Sequence, residues 1–243
     1  MKKYFILVTA GLLMACNLNG QWGKRVKGNG NQTTIERQVG PYDQVTLSGW
    51  FDVELVAGQE GSITLSGEEN LLEHIITEVK NGKLQIRTER GYNLKPSSWT
   101  SGGILIKVPV EQIEAVSLSG SGDIVGKTLL KSDTFQAAVS GSGDVVLEIA
   151  AGDIEASLTG SGDMTLAGST GRFEVRVSGS GDIEAYDLEA EEVEAIVSGS
   201  ADIRVTARQS LMARVSGSGD IHYRGNPARV DAKTSGSGDV SKG

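Results

Sequence analysis

Seven aspartates, Asp123, Asp144, Asp163, Asp182, Asp202, Asp220 and Asp239, each close a copy of one five-residue motif. Five copies read SGSGD, starting at Ser119, Ser140, Ser178, Ser216 and Ser235; TGSGD at Thr159 and SGSAD at Ser198 complete the series. Successive aspartates lie 21, 19, 19, 20, 18 and 19 residues apart. Carboxylates in register suggest three kinds of chemistry. Stacked oxygen ligands suit calcium, paired carboxylates serve glycoside hydrolysis, and Ser, Gly and Asp together build hydrogen-bonded turns. Carboxylates one layer apart repel, so hydrogen bonds, raised pKa values or a cation must offset their charge. GSGDI loosely resembles a calcium-binding nonapeptide, but that repeat has a period of about nine residues. An active site needs one distinguished cluster, whereas these aspartates recur as regularly as the core around them. A structural role is therefore expected, with calcium on the seven aspartates as the alternative and no enzymatic role or other cofactor.

The remaining residues offer little catalytic equipment. There are only two histidines, His74 and His222, and His222 falls where a side chain should face outward. No Ser/His/Asp spacing, phosphate loop or Cys/His metal pattern is present. The GNG at residues 28–30 is not a nucleotide fingerprint. Trp50, Tyr92 and Trp99 are large aromatics in or near irregular segments, where they could stack on a sugar or partner or pack over the end of the fold.

The elements that must position the aspartates are strands. A period near twenty marks a solenoid. Before each motif the residues alternate, as in FQAAV, IEASL, FEVRV and VEAIV. Stacked copies give inward columns: Phe135, Ile154, Phe173, Val193, Leu211, Val230; then Ala137, Ala156, Val175, Ala195, Ala213, Ala232; then Val139, Leu158, Val177, Val197, Val215, Thr234. A further column after the aspartates runs from Ile124 to Val240. Period-two alternation with connections too short for helices reads as an all-β parallel β-helix with coils of about 18–21 residues. The first half is less regular. YDQVTLSGWFDVEL at 42–55 aligns with IEAVSLSGSGDIVG at 113–126, which makes Asp52 an early member of the series. ITEVKNGKLQIR reads as a hairpin turning at Asn81–Gly82, EENLLEHII as a short helical turn, and residues 91–103 as a loop.

The N-terminus carries the clearest address. Lys2 and Lys3 precede the apolar run YFILVTAGLLM, which is of signal-peptide length and too short to span a bilayer. It ends in LMAC, like a bacterial lipobox, so residues 1–15 are expected to be removed and Cys16, the only cysteine, to be lipidated. Cleavage a little later, with Cys16 discarded, is the alternative. Residues 16–32 are expected to be a polar tether and residues 33–243 one domain. Without Lys2 and Lys3 the chain carries 21 basic and 31 acidic residues, a net −10, which gives no footprint for nucleic acid.

On YDQVTLSGWFDVEL, ITEVKNGKLQIR, the ILIKVP strand before VEQIEAVSLSGSGD and the SGSGD series, the sequence resembles the bacterial family DUF2807, the head GIN domain of autotransporter adhesins, over roughly residues 35–243. The resemblance implies a right-handed β-helix of Bacteroidetes type, often with a signal or lipoprotein leader, and transfers no catalytic or binding residues. The expected function is an exported, lipid-anchored, outer-membrane-associated and non-catalytic module, adhesin-like or architectural, with a surface glycan or protein as ligand. The alternatives are a periplasmic structural or envelope-stress lipoprotein and a carbohydrate-active β-helix enzyme.

Overall fold

Along residues 115–217 the alternation in the sequence becomes alternation between core and solvent, and this sets the architecture. The computed structural model describes residues 23–98 and 103–243. Five long bent strands each form most of one coil: β11 (Ile124–Gly141), β12 (Val145–Gly160), β13 (Met164–Gly179), β14 (Ile183–Gly199) and β15 (Ile203–Gly217). Before them run β1 (Lys24–Lys27), β2 (Gln32–Gln38), β3 (Gln44–Gly49), β4 (Asp52–Ala57), β5 (Ser62–Glu68), α1 (Glu69–Leu72), β6 (Ile75–Lys80), β7 (Lys83–Thr88), β8 (Tyr92–Lys95), β9 (Leu105–Val110) and β10 (Ala115–Gly120). After them come β16 (Ile221–Arg224), β17 (Arg229–Gly236) and β18 (Val240–Lys242). Neighbouring coils pair in parallel from β10 through β15 and on to β16, β17 and β18, giving a β-solenoid of about seven turns.

The motif side of the solenoid keeps strict register: Gly120, Gly141, Gly160, Gly179, Gly199, Gly217 and Gly236 are successive partners. The unequal spacing is absorbed elsewhere. Register shifts occur between Val125 and Leu129, between Thr165 and Gly168, and between Ala185 and Glu192, on the other side of each coil. Extra residues bulge where no ladder depends on them.

The three columns before the motif point inward as expected, and Phe135, Ile154, Phe173, Val193 and Leu211 are buried along the first. Val230, its next member, is 44% exposed, and Ala232 and Thr234, the last members of the other two columns, are exposed as well, because the outermost described coil has a neighbour on one side only. Ala195 is fully buried between Val175 and Ala213. Ala195→Phe is therefore expected to overpack a narrow layer and to cost on the order of 1–3 kcal/mol in urea unfolding; an unchanged midpoint would show that the layer has room.

The first coil is formed by β3 and β4, with Gln44–Gly49 on Ala115–Gly120 and Val53 beside Ile124, as the alignment of Asp52 requires. Between this coil and the next the chain departs to build an end cap. Strand β9 lies parallel to β4, β5 antiparallel to β9, and β2 antiparallel to β5. The β6–β7 hairpin turns at Asn81 (φ 52°) and Gly82 (φ 76°), the positive-φ pair of a type I′ turn, and β7 continues the sheet beside β3. Antiparallel strands thus close the N-terminal end, and α1 buries Leu71 and Leu72 beneath it. Two expectations need correction. The tether assigned to residues 16–32 contains β1, and the loop assigned to 91–103 contains β8; these pair in parallel as a two-stranded ribbon. Each is four residues long, too short to show a period, and each depends on a partner nearly seventy residues away.

Candidate binding surface

The motif aspartates form a continuous ladder, and their chemistry is that of the backbone. The Asp144 N–H donates to Asp123 Oδ1 at 2.9 Å, Asp163 to Asp144 at 2.8 Å, and Asp182 to Asp163 at 2.8 Å. The series continues through Asp202, Asp220 and Asp239 at 2.8, 3.0 and 2.7 Å. It begins at Asp52, whose Oδ1 accepts from the Asp123 N–H at 3.1 Å. In the opposite direction each aspartate carbonyl accepts the N–H that follows the aspartate below it, as Val145 does to Asp163 at 3.0 Å. From Asp123 to Asp220 each aspartate therefore joins its coil to both neighbours through side chain and main chain.

Glycine is what lets the coils approach. The first glycine of all seven copies has φ between 127° and 139°. In five copies its carbonyl accepts two N–H groups from the next motif; Gly120 O takes Ser142 at 2.8 Å and Gly143 at 3.2 Å. A Cβ on Gly141 would lie 2.2 Å from the Gly120 oxygen. Burial pushes the Asp52 carboxyl above its ordinary range; the Asp123 N–H bond works against this and the Asp123 charge reinforces it. Among the described residues no group of three or more His, Cys, Asp or Glu side chains is arranged to hold a metal ion. Asp163→Ala, which leaves the Asp182 N–H without its acceptor, is expected to cost about 1 kcal/mol in thermal or urea unfolding. No measurable loss would mean that water replaces the bond.

The other candidates fall at the two ends. His74 Nδ1 meets Glu89 Oε2 at 2.8 Å, and its ring stacks on Tyr92 with centroids 4.0 Å apart. Lys24 Nζ lies 6.0 Å from the centroid of Tyr92. His222, expected to face outward, is partly buried, and its Nδ1 is 2.9 Å from Ser241 Oγ. The structure brings Trp50 and Tyr92 to one depression of about 360 Å³, rimmed also by Gly23, Thr88 and Asn93. Both rings pack against the core, and Trp50 meets Phe51 edge-on with centroids 6.1 Å apart. Covering of the N-terminal end is thus their visible contribution. Trp99 and Cys16 lie outside the described residues.

Glu68, which the sequence did not single out, is fully buried. Its carboxylate accepts from the Gly30 N–H at 2.5 Å and the Ser97 N–H at 2.7 Å. Next to it, Asn70 Oδ1 accepts from the Asn29 N–H, while Asn70 Nδ2 donates to the Lys27 carbonyl. Burial alone would raise the Glu68 carboxyl, but the amides of Ser97 and Gly30, the Ser97 hydroxyl and the Lys27 charge outweigh it and hold it below the ordinary value. Only its position directly before a helical turn could have marked it in the sequence.

What faces outward is the side chains between the buried columns. Ser48, Ser119, Ser140, Thr159, Ser178, Ser198, Ser216 and Ser235 form one exposed or half-exposed row of hydroxyls, one per coil, at a repeat of about 4.8 Å. Beside it Arg172 pairs with Glu174 and Glu194, and Arg176 with Glu155, Glu174 and Glu194. The surface can hydrogen-bond and can present charge. None of these groups stands as a nucleophile with a base.

No helix among the described residues is long and apolar enough to cross a membrane. No curated protein is significantly similar to the chain. Among solved structures, a putative lipid binding protein from Parabacteroides distasonis is 29% identical, with a TM-score of 0.74 over 90% of this chain and 100% of that one. Putative adhesins from Bacteroides fragilis and Parabacteroides merdae are each 21% identical, with TM-scores of 0.82 and 0.72 over 89% and 90% of this chain and 99% of each of theirs; they share its fold. A family model matches residues 41–227, from the first coil through β16. On that match the chain belongs to the family DUF2807, described as "Putative auto-transporter adhesin, head GIN domain".

Proposed function

We propose that the protein is an exported, non-catalytic binding module of the bacterial envelope, held at the outer membrane through lipid on Cys16. In this reading the solenoid displays its polar outward face to a surface glycan or protein. The observation that carries it is the division of labour within each coil. The aspartates join coil to coil, while the hydroxyl and charged columns beside them stay open to solvent over the length of the sheet. A repetitive face suits multipoint contact with an extended ligand, each contact weak by itself. The family description and the solved adhesins support display at the surface, and the lipid binding relative supports a place in the envelope. Protease shaving of intact cells tests the location. Digestion of the domain on whole cells, abolished as membrane attachment by Cys16→Ser, is expected. Full protection until the outer membrane is opened would contradict display and favour a periplasmic role.

A further inference from the structure

Charge is segregated along the solenoid in a way its overall acidity hides. Residues 143–202 hold two basic and fourteen acidic residues, a net of 2 − 14 = −12. Residues 203–243 hold seven basic and three acidic, a net of 7 − 3 = +4. The reversal takes place within one coil, and the face that carries the hydroxyl row shares it: Asp153, Glu155, Glu174, Glu192 and Glu194 outnumber Arg172 and Arg176 there, whereas Arg214, Arg229 and Lys233 outnumber Asp231.

In the middle coils the arginines of that face are outnumbered and neutralised, as Arg172 and Arg176 are by Glu155, Glu174 and Glu194. Toward β17 the balance inverts. Arg214 and Lys233 are direct partners in adjacent coils. Arg214 Nη2 donates to Asp231 Oδ2 at 2.7 Å, and its Nη1 donates to the Asp231 carbonyl at 2.8 Å. Arg229 and Lys233 flank Asp231 two residues to either side, on the same face of the strand. Neither makes a direct ion pair among the described residues, though both, with Arg214, help hold the Asp231 carboxyl below its ordinary range. Three cations thus surround a single carboxylate. Two depressions border them: one of about 390 Å³ beside Ser198, Ser216, Lys233 and Ser235, the other of about 300 Å³ between Arg229, Asp231 and Met212 and the neighbouring Arg172, Glu192 and Glu194.

We propose that this strip, Arg214, Arg229 and Lys233 with the hydroxyls of Ser216 and Ser235, is a docking surface for an acidic polysaccharide lying along β15 and β17. The shape of the field selects the partner. A planar anionic surface touching this face would also meet the net acidic coils beside it, where Glu192 and Glu194 begin one layer away and so well within a Debye length of about 8 Å. A single polyanionic chain running parallel to the strands can follow Arg214, Arg229 and Lys233 and leave Glu192 and Glu194 to one side. The strip from Arg229 to Gly236 is eight residues long, roughly 25 Å of extended strand, enough for several sugar units. Serine hydroxyls beside the cations can bond ring hydroxyls and carboxylates. The inference rests on the binding-module reading above and names its ligand class and place.

The test is binding of polygalacturonate oligomers to the full chain in mild detergent, beside a neutral glucan of equal length and vesicles containing phosphatidylglycerol. Polygalacturonate is expected to bind, to weaken as salt is raised, and to lose at least tenfold in affinity with Arg229→Gln and Lys233→Gln together. The distal pair Arg25→Gln and Arg90→Gln, both exposed, is expected to leave affinity unchanged. Both double variants should unfold at the parent's temperature, since all four side chains are solvent-facing. Absence of binding, equal binding of the neutral glucan, an unaffected Arg229/Lys233 variant, or stronger binding to the vesicles through the same residues would overturn the proposal. Failure here with successful shaving of whole cells would reject the acidic ligand and leave surface display standing.

Discussion

Gly160→Ala is expected to destabilise the solenoid by on the order of 3–5 kcal/mol, several times more than Gly162→Ala two residues away. Gly160 has φ 127°, where a side chain is strained by about 1–3 kcal/mol. Its added Cβ would also lie 2.2 Å from the Gly141 oxygen, a main-chain atom that cannot swing aside. Parting the two coils there would stretch the paired bonds from Ser161 and Gly162, now 2.8 and 3.1 Å, so overpacking adds a further 1–3 kcal/mol or so. Gly162 is also crowded, 2.1 Å from the Gly143 oxygen, but its φ is outside the left-handed region. The protein already contains the test case, because Ala201 fills the equivalent position and is fully buried. In that coil Ser200 keeps its bond to the Gly179 carbonyl at 2.9 Å, and the Ala201 N–H makes no second one among the described residues. The loss of one long, shared bond is worth about 1 kcal/mol. Urea unfolding of the two variants checks the ranking; equal losses would show that φ strain plays no part.

Glu68→Ala is the second large effect, expected at about 3 kcal/mol or more and centred on the N-terminal cap. Truncation removes the acceptor from two main-chain amides and leaves a void where burial is complete. Gly28 shows how closely the segment is drawn in, since a Cβ there would lie 2.2 Å from the carboxylate. Hydrogen exchange should therefore speed up first at residues 27–31 and 97, before the coils lose protection. Glu68 also gives the cap a pH dependence. Its folded-state pKa is lowered from the ordinary 4.5, so its stabilising contribution is complete above that value. It is lost as pH falls from 4.5 through the folded value. Glu68→Gln should remove this acid sensitivity in the cap. A cap that loosens with the same pH profile in the variant would assign the effect to other carboxylates.

The difference between these two sites shows what the residues reveal before folding. Phe135, Ile154 and Phe173 could be stacked correctly because one period governs both the motif and the core. Asp52 could be added because its neighbours Leu47 and Val53 match Leu118 and Ile124. Periodicity tells which residues are superposed but not which atoms meet. That each aspartate N–H finds the carboxylate of the preceding coil depends on backbone geometry that no residue type encodes. Glu68 was illegible for another reason: its partners Gly30 and Ser97 come from two irregular segments, both placed by the cap. Likewise Arg214, Arg229 and Lys233 form one strip only when the chain has turned a full coil.

The central claim is that the SGSGD aspartates join coils and need no bound ion. It is tested most directly by thermal unfolding, with and without millimolar calcium, of the chain carrying Asp144→Asn, Asp163→Asn and Asp182→Asn. Each asparagine keeps an oxygen for the next N–H and removes one of three stacked negative charges. The expected result is a cooperative transition within a few degrees of the parent's, with calcium shifting neither protein. A parent stabilised by calcium, beside a triple variant that has lost both this shift and its cooperative unfolding, would contradict it.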